Sequence, residues 1–169
     1  MKICGYFLIA IISYLLGNIS TSYIISKKIS GVDIRTQGSG NAGSTNVLRT
    51  HGIKAGVATF LGDVLKGLLS VIIAGFIGSL IGINIEIAKY LAVVFVVCGH
   101  NWPVFMGFRG GKGVATSLGS MIAIAPVISL ICLGIFILVV LLTKYVSLGS
   151  ILAIACSIVA MSISENRNG

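Results

Sequence analysis

Two short segments hold most of the residues that could do chemistry. The first reads Gly38-Ser39-Gly40-Asn41-Ala42-Gly43-Ser44-Thr45-Asn46-Val47-Leu48-Arg49. Its three glycines within six positions let main-chain N–H groups turn toward one point. Ser39, Asn41, Ser44, Thr45 and Asn46 add side-chain donors, and Arg49 adds a guanidinium fork that matches phosphate oxygens. The inventory is that of an oxyanion cradle. It is not a Walker A loop: Gly38 and Gly43 have that spacing, but Ser44 stands where the lysine must be. In the second segment Gly110, Gly111 and Gly113 surround Lys112 immediately before an apolar stretch. A helix N-terminus, open N–H groups and an ammonium together make an anion site.

Three further side chains could take part. His100 lies on the approach to the second segment and could donate to a substrate oxygen. Asp63 and Lys66 stand three residues apart, hence on one helix face, inside an otherwise apolar stretch. They read either as an ion pair near the membrane surface or as functional groups facing a cavity. No paired carboxylates and no Ser-His-Asp set are evident. His51 and His100 lack the aspartate that a His-x-x-x-x-Asp acyltransferase motif would place after them. Chemistry with so few acids and bases needs a substrate that is already activated, with positioning and charge stabilisation doing the rest. Cys4, Cys98, Cys132 and Cys156 lie in or beside apolar segments without metal-ligand spacing, so no metal or cofactor is expected.

The elements that position these loops are membrane helices. Of 169 residues, 56% are hydrophobic and only 9% charged, against about 25% charged in a soluble domain. The formal charge of +8 comes from 12 Lys and Arg against 4 Asp and Glu. These cations sit at the ends of apolar stretches rather than in a basic stripe, which argues for anionic head groups or phosphorylated substrates and against nucleic acid. Five apolar stretches are expected, over residues 3–25, 55–83, 87–108, 114–143 and 146–163, the second interrupted at 62–67. The first reads as a retained anchor, not a cleaved signal. The fourth would reach about 45 Å as one helix, too long for a core of about 30 Å; Pro126 near its middle could divide it into a hairpin. Lys27, Lys28, Arg35, Arg49 and Lys54 follow the first span, and Arg109 and Lys112 follow the third. Both loops are therefore expected in the cytoplasm and the N-terminus outside, with the polar end, 165–169, emerging on the outer face. The expected fold is an all-α polytopic bundle of five to six spans, residues 1–169 forming a single membrane domain.

The motifs also carry a resemblance. Gly38-Ser39-Gly40-Asn41-x-Gly43-x-Thr45-Asn46-x-x-Arg49, Asp63-x-x-Lys66-Gly67, Gly99-His100-x-x-Pro103-Val104-Phe105 and Gly110-Gly111-Lys112-Gly113-Val114-Ala115-Thr116 resemble the PlsY family. Asp33-Ile34-Arg35 and Tyr145-Val146-Ser147-Leu148-Gly149-Ser150 fit it too. These are bacterial membrane glycerol-3-phosphate acyltransferases that use acyl-phosphate. The resemblance implies attack of the 1-hydroxyl of glycerol 3-phosphate on a fatty acyl-phosphate, giving lysophosphatidic acid and phosphate, the first step of phospholipid synthesis. Ser39, Asn41, Thr45 and Arg49 would contact phosphate and polarise the acyl group, with Ser39, Arg49 and Lys112 as the catalytic set. Lys112 with Gly110, Gly111 and Gly113 would form a second phosphate site, and His100 and Ser147 would line the pocket. It also implies a seven-helix bundle in a bacterial inner membrane. A soluble enzyme that makes the acyl-phosphate is a candidate partner.

The sequence departs from the family pattern in places. Trp102 stands where phenylalanine is usual, Arg109 where lysine is, and Ser44 where alanine is common. Nothing after Ser150 matches the family's third motif, His-x-x-Asn-Ile-x-Arg-Leu followed by Gly-x-Glu, so a C-terminally truncated member is expected. Two other readings stand beside the enzyme. One is an inactive remnant that binds phosphate or lipid. The other is a transporter of phosphorylated solutes, which the uniformly apolar later stretches disfavour.

Overall fold

The structure is a computed structural model that describes residues 2–168, with side-chain surroundings described as far as Ile163; the expected outward emergence of the polar end lies outside those side chains. Among the described residues all regular structure is helical. Five helical segments, Lys2–Ser30, Ile53–Leu80, Ile85–Met106, Pro126–Thr143 and Val146–Ile163, are long and apolar enough to cross a membrane. The chain divides into two compact units, Met1–Ala123 and Ile124–Gly169.

In the first unit, the apolar stretch expected at 3–25 is two helices. α1 spans Lys2–Gly17 and α2 spans Thr21–Ser30. Asn18, Ile19 and Ser20 separate them, because the Ser20 side chain caps α2 by accepting from the Tyr23 N–H. Within the first loop α3 spans Ser44–His51, and Gly52 leads into α4, Ile53–Leu80. The interruption expected at 62–67 does not occur: α4 runs through Asp63 and Lys66 without a break. A helix tolerates this pair because both ions lie on its buried face and meet each other there. α5 spans Ile85–Asn101 and α6 spans Val114–Ile124.

Packing in this unit is inverted relative to a soluble protein. On α1 the buried residues are Gly5, Ile9, Ala10, Ser13 and Gly17, while Ile3, Phe7, Ile11 and Leu15 face outward. On α4, Thr59, Asp63, Lys66, Gly67, Ser70 and Ala74 are buried, while Leu61, Leu65, Ile72 and Phe76 are exposed. Lipid tails are as apolar as leucine, so little drives large apolar side chains inward; small residues let backbones approach and polar residues join them. Two crossings depend on this. A Cβ on Gly17 would strike the carbonyl of Val96 and come within 2.9 Å of Gly99 Cα, and one on Gly99 would strike the carbonyl of Tyr14. Likewise a Cβ on Gly67 would strike the Thr116 carbonyl and one on Gly119 the Val64 carbonyl. These contacts lock α1 to α5 and α4 to α6.

The second unit holds α7, Pro126–Thr143, and α8, Val146–Asn168. The division expected at Pro126 is present: α6 ends at Ile124, and α7 opens with Pro126 in its first turn, where a missing N–H costs nothing. α7 ends on Lys144 in the left-handed conformation (φ 63°), its N–H returning to the Val140 carbonyl. Gly149 of α8 packs against Phe136 and Val140 of α7.

Candidate functional site

The two glycine-rich loops meet. The N–H of Ala42 in the first donates to the carbonyl of Gly110 in the second, 3.4 Å away. Arg35 donates through Nη1 to the carbonyl of Met106. The same guanidinium grips Asp33, with Nη2 at 2.7 Å from Oδ2 and Nε at 3.1 Å from both carboxylate oxygens. That contact holds the Asp33 carboxyl below the usual carboxylate range and raises the Arg35 guanidinium above its own. The Asp33–Arg35 brace went unrecognised as a working part of the site. Its signal was an acid and a base two residues apart, beside the first loop.

Asn46 organises the first loop. Its Nδ2 lies at hydrogen-bond distance from the carbonyls of Ile34 (3.2 Å), Gln37 (2.9 Å) and Asn41 (3.1 Å), and its Oδ1 accepts from the Ser39 N–H at 2.9 Å. The residue is 2% exposed. Its donors are therefore spent inside the loop, and its part is that of a clamp, not of a substrate donor as the sequence suggested. Gly38 has φ +56°, and a Cβ there would strike Asn46 Oδ1, so only glycine fits. Around this clamp Gly38, Ser39 and Gly40 are exposed, and Asn41, Gly43, Ser44 and Thr45 are half-buried. Ser44 and Thr45 open α3, where main-chain N–H groups lack partners within the helix. Arg49, in the last turn of α3, is exposed.

The second loop folds back on the end of α5. Gly110 N–H donates to the Asn101 carbonyl and Gly111 N–H to the His100 carbonyl, both at 3.1 Å. Those two N–H groups do not converge on an open point, as the glycine content had suggested; they tie the loop to the helix. The open donors lie further on, at exposed Lys112 and in the first turn of α6. Beneath the loop lies a buried polar cluster. Lys66 Nζ lies 2.9 Å from Asp63 Oδ1, 2.8 Å from the Ile19 carbonyl and 2.8 Å from His100 Nδ1. Thr21 donates to Asp63 Oδ1 at 3.2 Å. Of the two readings of Asp63 and Lys66, the ion pair is present, with the two residues only 2% and 5% exposed. Buried Asn18 and Thr116 and half-buried Asn101 each keep a buried side-chain oxygen without a protein partner among the described residues. Thr21 and these oxygens went unnoticed because they sit singly in apolar stretches. Ser147, in the first turn of α8, is exposed and belongs to the second unit.

A family model described as glycerol-3-phosphate acyltransferase matches residues 7–166. The glycerol-3-phosphate acyltransferase of Clostridioides difficile (strain 630) is 64% identical over 169 residues, covering all of this chain and 83% of that protein. The chain belongs to the glycerol-3-phosphate acyltransferase family. Another member, from Thermoanaerobacter sp. (strain X514), is 51% identical over 144 residues, covering 85% of this chain and 70% of that protein. Among solved structures, the integral membrane acyltransferase PlsY in its glycerol 3-phosphate form superposes with a TM-score of 0.83 at 39% identity, over 94% of this chain and 77% of that one. Its lysophosphatidic acid form gives 0.81 at 38% identity. The PlsY resemblance read from the motifs, the all-helical membrane fold and the acyltransferase class are thereby established for this family member.

Proposed function

We propose that this chain transfers a fatty acyl group from acyl-phosphate to the 1-hydroxyl of glycerol 3-phosphate, with both glycine-rich loops at the cytoplasmic face of a bacterial inner membrane. Its relatives are named for acyl transfer to glycerol 3-phosphate, and one solved relative holds that acceptor and another form the lysophosphatidic acid product. The observation that carries the reading further is the joining of the loops through Ala42 and Gly110. It brings a segment bearing Ser39, Thr45 and Arg49 against one bearing Lys112, so that two anionic groups could be held side by side.

In this reading the hydroxyl oxygen attacks the acyl carbon and the acyl–phosphate C–O bond breaks. Its electron pair leaves with phosphate, and a substrate phosphate oxygen takes the hydroxyl proton. An acyl-phosphate is a mixed anhydride with a good leaving group, so no covalent enzyme intermediate is required. Ser39 and the open N–H groups of the first loop would polarise the acyl carbonyl, while Arg49 and Lys112 would offset phosphate charge. The cation bias of the loops supports the cytoplasmic placement, where a soluble acyl-phosphate-forming enzyme could deliver the donor.

The test uses purified full-length protein in nanodiscs with labelled glycerol 3-phosphate and either palmitoyl-phosphate or palmitoyl thioesters. Lysophosphatidic acid formed from the phosphate donor alone, and lost in Lys112→Ala, supports the proposal. Product from thioesters but not from acyl-phosphate overturns the donor assignment.

A further inference from the structure

The cluster beneath the second loop determines where one proton sits. A lysine ammonium has three N–H donors and no acceptor. Lys66 has three acceptors at hydrogen-bond distance: Asp63 Oδ1, the Ile19 carbonyl and His100 Nδ1. With Lys66 as the ammonium paired with Asp63, all of its hydrogens are donors, so His100 Nδ1 must present a lone pair, and the imidazole carries its proton on Nε2. Moving a proton from Lys66 to Nδ1 is disfavoured, since it would take the positive charge from 2.9 Å to 3.6 Å from Asp63 Oδ1. Donation from Nδ1 to Asp63 is disfavoured too: Oδ1 lies 3.6 Å away and already accepts from Lys66 and Thr21.

The far side of the ring faces the second loop. A Cβ added to Gly111 would collide with His100 Nε2, so only glycine at this position, one residue before Lys112, leaves room beside that ring nitrogen. His100 Nε2 has no protein hydrogen-bond partner among the described residues. We propose that the Asp63–Lys66 pair is a positioning device that locks His100 in the Nε2–H tautomer, so that it presents a donor to a phosphate oxygen of a substrate seated on the Lys112 loop. The identity of that phosphate rests on the acyl-phosphate reading above; the tautomer does not.

The test uses the full-length protein in nanodiscs with ring-15N histidine, the second histidine being removed by His51→Gln. The expected spectrum is a neutral imidazole protonated at Nε2, whose resonance moves when inorganic phosphate is titrated in. A ring protonated at Nδ1, or at both nitrogens, overturns the lock even if the enzyme is active. In the Asp63→Asn/Lys66→Met variant, which removes both charges so that neither is left buried alone, the resonances should show mixed tautomers. Its KM for glycerol 3-phosphate or for acyl-phosphate should rise about tenfold or more, the size of a lost hydrogen bond to a charged group; two unchanged KM values overturn the role. His100→Gln, whose amide nitrogen takes the place of Nε2, should retain about tenfold more kcat/KM than His100→Asn, which imitates Nδ1. Equal losses in the two variants overturn the donor assignment.

Discussion

Arg35 binds the Asp33 carboxylate with one edge of its guanidinium and the Met106 carbonyl with another, so one side chain stiffens the first loop and ties it to the turn that leads into the second. Replacing Arg35 by Met keeps an unbranched stem of similar bulk near the backbone and removes both attachments. The expected result is a larger loss in kcat/KM than in thermal stability, read by parallel assays and melting curves in detergent. A drop in stability alone would show that the brace does not reach the site.

The same pair has a pH signature. The folded carboxyl of Asp33 is held below its ordinary value by Arg35. A depressed folded pKa contributes stability that is complete above the unfolded value of about 3.9 and is lost as pH falls through the folded one. Asp33→Asn should therefore cost about 0.5–1 kcal/mol at pH 7, as for a partly exposed pair. The gap should close below about pH 4, as the wild type gives up the contribution the variant never had. A gap that stays constant down to pH 3 would contradict the assignment.

Asn46→Ala removes the partner of the Asn41 carbonyl and of the Ser39 N–H within the first loop, while the Ile34 and Gln37 carbonyls keep the N–H groups of Gln37 and Gly40. Each buried group left unsatisfied costs about 1–3 kcal/mol, so a loss of at least about 2 kcal/mol is expected. Amide exchange should accelerate from Gln37 to Thr45 while α5 stays protected. Uniform acceleration across α5 would mean that the loop is not a separate unit.

Gly99→Val places a branched side chain against the main chain of α1, which cannot yield as a flexible side chain would. The expected cost is about 3 kcal/mol or more, at or beyond the range for overpacked cores, with poor recovery of folded protein. The exposed Cys4→Ala should melt as the wild type does.

Arg49→Lys keeps the charge and loses the two-pronged geometry. If Arg49 grips phosphate, kcat/KM should fall about tenfold or more, and raising the salt concentration in the wild-type assay should not reproduce the pattern. Equal activity of the two would place Arg49 outside the substrate contacts.

The two loops were legible because glycine spacing, small polar side chains and isolated cations are local signals. The break at Pro126 was legible for the same reason: one residue forbids a helical N–H. The continuity of α4 was hidden, because Asp63 and Lys66 look like an interruption until one sees that they pair on the buried face. Asn46 looked like a donor for substrate, since sequence gives the type of a side chain but not which carbonyls surround it. Gly110 and Gly111 misled in the same manner; their glycine content reflects close approach to His100 and Asn101, not an open row of N–H groups.

The interruption between α1 and α2 has an effect far from where it occurs. In an unbroken helix the carbonyl of Ile19 would be occupied by the N–H of Tyr23; the Ser20 hydroxyl takes that N–H instead, and Ile19 is free to face Lys66. Straightening the N-terminal segment, as a Ser20→Ala change would encourage, would strip a buried cation of one of its three supports. The register of the chain's first thirty residues thus reaches, through one main-chain oxygen, the charge balance at the middle of its longest helix.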